Sequence, residues 1–196
     1  MTKKIVKNII IGSALILIVF GLGLYTNIIK LPITNTLVLQ SSEDFSDDRI
    51  LMGASNNVFV GKVIKQIGDK RFGKFPATQF AVEVIDNIKG NLQGTVVVDR
   101  LGGYKYGMRY VVHNDTVAIS KNTDLLLKIG TTYLFATRYN SEENWYTVMF
   151  YPNTGKIISR DANLNRIDLE ILSQNDERVS VLREAYKNEI LSENYD

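Results

Sequence analysis

The chain begins with an unbroken apolar run and then changes to alternating apolar and polar positions. The seventeen residues from 9 to 25 read IIIGSALILIVFGLGLY without a charge, and the apolar character extends weakly over residues 5–29. A helix of that length rises about 26 Å, which is the short end of what crosses a bilayer core. The run is apolar on every face, whereas a helix of a globular domain usually has a polar face. We therefore predict that residues 1–30 form a membrane anchor.

The distribution of charge predicts the orientation of this anchor. Lys3, Lys4 and Lys7 precede the apolar run and Lys30 follows it, so residues 1–30 carry four basic residues and no acid. The whole chain has a net charge of +2, which leaves 19 basic against 21 acidic residues beyond residue 30, a net of −2. By the positive-inside rule, we expect a cytoplasmic N-terminus and an extracytoplasmic C-terminal domain.

The basic start and the apolar middle also fit a cleaved secretory signal. Such a signal needs small residues at its cleavage site, and Gly21-Leu22-Gly23 is the nearest approximation. Lipoprotein processing is excluded because the chain contains no cysteine. We predict an uncleaved single-pass anchor in the cell membrane, and secretion after cleavage stays open as the alternative.

Beyond residue 30, the pattern predicts a stalk, a β-rich domain and a helical tail. Residues 31–45 have no strand or helix period and are predicted to be the stalk, and Ser46 is a suitable N-cap for a short helix over residues 46–54. An apolar stripe at helical spacing predicts a further helix, capped by Asn175, within the tail at 161–196. Between them, period-two alternation predicts strands at 57–66, 78–88, 94–101, 131–139, 144–151 and 155–159, and a hairpin with arms at 109–112 and 116–119.

These elements predict a mainly β fold, namely a five-stranded OB-like barrel over residues 46–160. The short N-terminal helix and the C-terminal helix flank the barrel, and the N-terminal transmembrane helix precedes both. Gly61 lies in the middle of the first strand, where a glycine often marks a bulge or a bend. Such a strand is typical of small closed or half-closed barrels, and a two-sheet sandwich stays open as the structural alternative.

Several blocks of sequence carry a resemblance to a known bacterial pattern. They are VFVGKV at 58–63, FAVEV at 80–84 with a following Lys-Gly, VVV at 96–98 and GTTYLFA at 130–136. Together they resemble exported or membrane-anchored bacterial proteins whose domain is related to tissue inhibitors of metalloproteinases (TIMPs) and netrin modules. The stretches at 138–139 and 144–147 resemble poorly characterised members from low-GC Gram-positive bacteria. The resemblance covers residues 46–160 and implies an OB-fold barrel.

The resemblance does not imply protease inhibition. The animal inhibitors chelate the protease zinc through the amine and carbonyl of an N-terminal cysteine, and this chain has no cysteine. The same absence excludes a thiolate zinc site and a cysteine nucleophile. The single histidine, His113, lies in a turn-like context without a Gly-x-Ser-x-Gly or Ser-x-x-Lys motif. The acid pairs Asp47-Asp48 and Glu142-Glu143 are explained by helix capping and by a hairpin turn. We predict no catalytic residue, no metal and no cofactor.

Candidate binding residues gather around the glycine-rich segment 102–107. Tyr104, Lys105 and Tyr106 lie in this segment, Arg100 and Arg109 flank it, and Trp145 lies in the last predicted hairpin. The segment lacks the Gly-Lys-Ser/Thr ending of a phosphate loop, so we predict a β-connection that contributes to a partner surface. OB barrels bind ligands across one face and through loops, and these six residues are the predicted site.

A basic cluster around the first predicted loop has the composition of a contact for an anionic wall polymer or for lipid headgroups. Its members are Lys62, Lys65, Lys70, Arg71 and Lys74. Nucleic acid is not an expected partner, because the exported part has a net negative charge. We expect a non-enzymatic binding domain that engages a cell-surface protein or a wall polymer. The alternatives are a structural component of an envelope secretion or transfer assembly that docks through the C-terminal helix, and a wall-directed hydrolase.

Overall fold

The computed structural model describes residues 3–39, 45–114, 126–149 and 156–191. Strand outweighs helix among these residues, which confirms the mainly β prediction. The helices are α1 (Lys3–Tyr25), α2 (Asp48–Ala54), α3 (Arg166–Asn175) and α4 (Glu177–Lys187). The strands are β1 (Thr34–Leu39), β2 (Asn57–Phe72), β3 (Phe75–Lys89), β4 (Thr95–Leu101), β5 (Gly103–Lys105), β6 (Met108–Asn114), β7 (Thr132–Asn140), β8 (Trp145–Val148) and β9 (Ile157–Ser159).

Helix α1 contains the predicted apolar run. Ile5–Tyr25 has a mean hydropathy of 2.4 and is long and apolar enough to cross a membrane, and a signal sequence has the same features. The side chains of this stretch are not buried by the rest of the chain. The helix ends at Tyr25, and Asn27 follows with a φ of 57°, the left-handed conformation that commonly ends a helix.

Strands β2, β3, β4, β8, β7 and β9 form one sheet in that order. Strand β2 also pairs with β7, so the pairings run from β2 through β3, β4, β8 and β7 back to β2. The pairing of β4 with β8 is parallel, and the other pairings in this sheet are antiparallel. Gly61 lies at a register shift in β2, as predicted, and a Cβ there would lie 2.5 Å from Cγ1 of Val82.

Successive side chains of these strands lie on opposite faces of the sheet and form two separate apolar clusters. One face of the sheet supplies a core in which the Phe59 and Phe135 rings lie 5.2 Å apart. The other face of β2, β3 and β7 packs against α2, α3 and α4 through buried residues such as Leu51, Leu169 and Leu182. We call these three helices the helical cover. The sheet is therefore apolar on both faces wherever the helical cover lies over it.

A second sheet has the strand order β1-β6-β5 and covers a different part of β3 and β4. Ala77, Leu101 and Val112 form a small buried cluster beneath it, so we call β1, β5 and β6 the strand cover. Residues 34–39 were predicted to be part of an irregular stalk, and this prediction was wrong, because Thr34–Leu39 pairs in parallel with β6. The edge of β6 supplies hydrogen-bonding groups that the apolar pattern of residues 31–45 does not reveal. The predicted hairpin arm at 116–119 lies outside the described residues.

The N-caps of α2 and α4 each lie one residue after the predicted position. Asp47 caps α2 instead of Ser46, because its side chain accepts a hydrogen bond from the backbone N–H of Arg49. Asp176 caps α4 instead of Asn175 and accepts from two backbone N–H groups of the first turn. Helix α3 was not predicted, since its buried residues are only Leu169 and Ser173 while Ile167 is 68% exposed.

Candidate functional site

The segment that follows α1 is fastened to the hairpin of β5 and β6. The side-chain amide of Asn27 donates a hydrogen bond to the backbone oxygen of Tyr104 at 3.1 Å, and the N–H of Gly107 donates to Asn27 Oδ1 at 3.0 Å. The N–H of Leu31 donates to the backbone oxygen of Gly107 at 2.8 Å. The end of α1 and the β5–β6 hairpin therefore form one structural unit.

Tyr106 and Gly107 form the two-residue turn of this hairpin. Their φ angles are 53° and 75°, and positive values at both positions are what a type I′ hairpin turn requires. A Cβ on Gly107 would lie 2.7 Å from the backbone oxygen of Ile29, so glycine permits the close approach of the α1 end. The Tyr106 side chain remains 42% exposed at the tip of the hairpin.

A cleft of about 470 Å³ lies between the end of α1, the β5–β6 hairpin and the outer part of the β2–β3 hairpin. Its lining combines three tyrosines, three basic side chains, one acid, one amide and one proline. We call it the helix-end cleft. The lining residues are Tyr25, Asn27, Asp69, Lys70, Arg71, Pro76, Tyr104, Lys105 and Tyr106.

Aromatic rings hold the ammonium groups in and beside the helix-end cleft. Lys30 Nζ lies 4.4 Å from the centroid of the Tyr104 ring, and Lys105 Nζ lies 5.7 Å from that of Tyr106. Lys105 also donates a hydrogen bond to the backbone oxygen of Lys74 at 3.0 Å. A cation over a tyrosine face is attracted by the ring quadrupole, so these two charges are held in position. Each ammonium has three donors, and Lys105 uses one of them for Lys74, so both lysines retain donors for a ligand.

Asp69 is the one acid that the described residues contribute to the cleft lining. Burial raises the pKa of this carboxyl group, and the nearby charge of Lys30 and a hydrogen bond from Gln66 oppose the rise. The carboxylate is weakly compensated, with Gln66 Nε2 at 3.3 Å from Oδ1. Lys70, Arg71 and Lys105 outnumber it, so the helix-end cleft carries an excess of positive charge.

The structure brings together four of the six predicted site residues. Tyr104, Lys105 and Tyr106 line the helix-end cleft, and Arg109 lies directly opposite Tyr104 on β6. Trp145 is only 5% exposed and does not line the cleft. It is nevertheless linked to the cleft, because Lys70 Nζ lies 5.5 Å from its ring centroid.

Arg100 lies on the core face of β4 and is 7% exposed. Its cross-strand partner is Thr78, and Val98, two residues earlier on the same face, belongs to the buried core. Burial lowers the pKa of the Arg100 guanidinium to about 10, and Tyr133 opposes this change. Arg100 is therefore part of the domain interior and is not on the surface that lines the cleft.

Asp99 is a buried acid that the sequence did not single out. It is 0% exposed, and neither carboxylate oxygen accepts a hydrogen bond from the described residues. Its cross-strand neighbours are Gln79 on β3 and Thr147 on β8. Burial raises the pKa of Asp99 to about 6 against the opposing charge of Lys70. Lys70 thus lies between the helix-end cleft and a carboxyl group that its charge compensates only in part.

The residues of the basic cluster predicted from the sequence do not all lie in the helix-end cleft. Lys70 and Arg71 line the cleft, and the backbone of Lys74 accepts the hydrogen bond from Lys105. Lys62 lies elsewhere and donates to the backbone oxygens of Ala162 and Leu164, at 2.7 and 3.0 Å. Its role is to tie β2 to the segment before α3.

Four cleft residues were not predicted, namely Tyr25, Asn27, Asp69 and Pro76. A tyrosine at the end of an apolar run is typical of the interface between membrane and water, which is a signal for Tyr25. Asn27 carries no comparable signal, because its partners Tyr104 and Gly107 are 77 and 80 positions away.

The acid pairs serve the fold where the structure describes them. Asp47 accepts hydrogen bonds from Arg49, and Asp48 forms an ion pair with Arg178. Glu143 lies in the β7–β8 turn, and its backbone N–H donates to Asn140. The His113 backbone belongs to β6, and its side chain is outside the described part of the chain. Within the described ranges, no group of three or more His, Cys, Asp or Glu side chains has a metal-binding arrangement.

No protein-family model matches this chain, and no curated protein matches it.

Proposed function

We propose that this chain is a membrane-anchored, extracytoplasmic binding protein that holds an anionic ligand in the helix-end cleft without catalysing a reaction. The observation that carries the proposal is the cleft itself. The end of the candidate membrane helix, the β5–β6 hairpin and the β2–β3 hairpin together surround an excess of cationic side chains with tyrosine rings.

The proposed anchor is α1, which stays attached to the domain. Three lysines before the apolar run and one after it support an N-terminus in the cytoplasm and a domain outside. The intact mass of the mature protein tests this part directly, because cleavage near Gly21-Leu22-Gly23 would remove most of α1. A chain of full mass that resists extraction from membranes by carbonate is the expected result.

The proposed architecture of the domain is a five-stranded OB-like barrel related to TIMP and netrin modules. The ring of pairings through β2, β3, β4, β8 and β7 supports it, as does the register shift at Gly61. The C-terminal helices lie outside this ring. Such barrels bind ligands beside the loops at one end, and the helix-end cleft adjoins the β2–β3 hairpin.

The composition of the cleft lining supports binding over hydrolysis. Among the described residues, the lining contains no serine, threonine, cysteine or histidine, so these residues offer no nucleophile with an adjacent imidazole base. Lysine, arginine and tyrosine side chains instead supply hydrogen-bond donors to an anion. Arginine is particularly suited to phosphate and carboxylate groups, because its donors form a planar fork.

The binding test uses the full-length chain in detergent micelles and short-chain inorganic polyphosphate as the soluble anionic probe. The cleft variant is Lys70→Gln/Arg71→Gln. The control variant is Lys128→Gln/Arg160→Gln, which removes two exposed charges outside the cleft. With about 1 kcal/mol for each charge next to the ligand, the cleft variant should lose roughly 30-fold in affinity, and the control should change by less than about threefold. Equal losses in both variants would show that binding follows overall charge and would contradict the proposal.

The alternative function, a component of an envelope assembly, has one specific observation in its favour. Ile167 and Ile171 lie one turn apart on α3 and are 68% and 52% exposed. Deleting residues 175–196 would not test this alternative, because Val179 and Leu182 of α4 are buried in the core of this chain. The double variant Ile167→Ser/Ile171→Ser changes the exposed stripe alone. Loss of a crosslinked complex in this variant, with the fold intact, would favour the assembly.

A further inference from the structure

The position of the helix-end cleft relative to α1 restricts the ligands that reach it. Tyr25 is the last residue of α1, and its ring lies 6.1 Å from that of Tyr106 at the tip of the β5–β6 hairpin. Tyrosine rings at the end of a membrane helix are typical of the headgroup level of a bilayer. If α1 spans a membrane, the helix-end cleft therefore opens at the depth of the lipid headgroups.

The cations of the cleft lie in this same layer. Lys105 is adjacent to the Tyr106 turn, and Lys30 follows the end of α1 by five residues and contacts the Tyr104 ring. Arg71 is exposed and forms no ion pair with any described residue, so its guanidinium is available to an oxyanion. Asp69 offsets one of the positive charges and leaves an excess that suits a phosphate group.

The helix-end cleft is also preformed, because hydrogen bonds within the chain fix its walls. Asn27 holds the β5–β6 hairpin against the end of α1 through two side-chain hydrogen bonds, and the Tyr106-Gly107 turn fixes the hairpin tip. A preformed site avoids part of the entropy cost of ordering its side chains when it binds. Its volume of about 470 Å³ lies within the range of small-molecule sites.

We propose that the helix-end cleft binds the phosphate-bearing headgroup of an anionic phospholipid from the membrane leaflet in which α1 ends. This inference rests on the proposed function, since it needs α1 as an anchor and the cleft as an anion site. The phosphate contacts Arg71 and Lys105, and the Tyr25 and Tyr106 rings flank the upper part of the lipid chain. The domain is thereby held against the membrane surface in a single orientation.

The test places the full-length chain in nanodiscs of phosphatidylcholine, with or without phosphatidylglycerol. Native mass spectrometry counts the phosphatidylglycerol molecules retained after release from the nanodisc. Trp145 is the single tryptophan of the chain, and Lys70 links its ring to the cleft, so its fluorescence reports occupancy. We expect Arg71→Gln/Lys105→Gln to lose roughly 30-fold in retention of phosphatidylglycerol, and Lys128→Gln/Arg160→Gln to change it less than twofold.

A second variant tests the shape of the cleft independently of its charge. Tyr106→Ala keeps every charge and should still reduce retention several-fold, because it removes one wall of the site. Its far-ultraviolet circular dichroism and its urea midpoint should match those of the unsubstituted chain, which shows that the domain is folded. Equal retention in the cleft and control variants would overturn the inference.

The soluble probe distinguishes this inference from the proposed function. If polyphosphate binds with cleft dependence while phosphatidylglycerol shows none, the ligand is a soluble anionic polymer, so the proposed function stands and the lipid inference fails. If neither probe depends on the cleft residues, both proposals fail. Cleft-dependent retention of phosphatidylglycerol together with competition by polyphosphate supports both.

Discussion

The helical cover closes one part of the sheet, whereas the strand cover and the end of α1 leave a cleft beside another part. Under the helical cover, Leu51, Val179 and Leu182 are almost fully buried against β2, β3 and β7. Under the strand cover, the buried apolar cluster contains three of the described residues, and the adjoining lining is polar and charged. The two regions share β3, so the difference arises from what is packed on it.

The acids of the two regions differ in the same way. At the helical cover, Asp48 pairs with Arg178 and Asp86 with Arg183. Burial raises the pKa of Asp176, but hydrogen bonds from Lys156 and two backbone amides outweigh burial and bring the pKa below its ordinary value. At the cleft side, burial raises the pKa values of both Asp69 and Asp99. Charges at the helical cover thus stabilise the fold, while those near the cleft are left poorly compensated, as is common at binding sites.

The largest expected effect is the loss of a buried side chain under the helical cover. Leu182→Ala should lower the free energy of unfolding by about 2–5 kcal/mol, because Leu182 is 2% exposed and its removal leaves a cavity. Urea denaturation followed by circular dichroism measures the change. Leu191→Ala is the matched control, since Leu191 is 70% exposed and should change stability by less than about 0.5 kcal/mol. Similar effects at both positions would mean that the helical cover is not a closed core.

The apolar pattern of the sequence was sufficient to predict most of the sheet but not all of its covers. Alternation in β2, β3, β4 and β7 reflects two apolar faces and was read correctly. Helix α3 lacks such a pattern, because its buried face consists of Leu169 and of Ser173, which donates to Asp86 at 2.6 Å. A polar residue that is buried through a long-range hydrogen bond gives no signal in a hydrophobic period.

The next prediction tests whether the paired acids of the helical cover stabilise the fold, and it concerns Asp86. The Oδ2 atom of Asp86 accepts hydrogen bonds from Ser173 and Arg183, both at 2.6 Å. Asp86→Asn removes the charge that these donors compensate, so the variant should lose about 1–3 kcal/mol of stability at neutral pH. The same urea denaturation measures the loss. An unchanged midpoint would show that the pair contributes nothing to the helical cover.

An unpaired acid near the cleft should respond in the opposite direction. Asp99→Asn removes a buried charge without a hydrogen-bond partner among the described residues, so it should stabilise the protein by roughly 1–3 kcal/mol at pH 8. The folded-state pKa of about 6 exceeds the ordinary 3.8, so between these values the folded protein holds a proton that the unfolded chain has released. Stability contributed by Asp99 is therefore lost as the pH rises through that window.

Denaturation of both chains from pH 4 to pH 8 measures this linkage. The gain from Asp99→Asn should vanish near pH 4, where Asp99 is neutral in the folded protein, and should be complete above about pH 7. Asp86→Asn is the control for a general effect of removing an acid, because it should destabilise the protein at pH 8. A loss of stability in Asp99→Asn at that pH would contradict the assignment of an uncompensated charge.

The candidate site was predictable only in part, for a topological reason. Tyr104, Lys105 and Tyr106 were identified because they are adjacent in a glycine-rich segment. Their neighbours in the cleft come from the end of α1 and from β2, and chain topology alone determines that proximity. Trp145 and Arg100 were assigned to the surface by residue type, whereas strand alternation buries Arg100 on the same face as Val98.

The smallest expected effect separates the two regions most sharply. Asn27→Ala removes both side-chain hydrogen bonds between the α1 end and the β5–β6 hairpin, and it places alanine at a φ of 57°. The local contact should weaken by about 1–2 kcal/mol, so amide exchange at Gly107 should accelerate roughly tenfold. The helical cover contains none of these bonds, so the urea midpoint should stay unchanged.

Asn91→Ala, at an exposed loop position, is the control and should leave exchange at Gly107 as it was. A shift of the global midpoint in Asn27→Ala would mean that the cleft and the helical cover unfold as one unit, and the independence of the two regions would then be wrong.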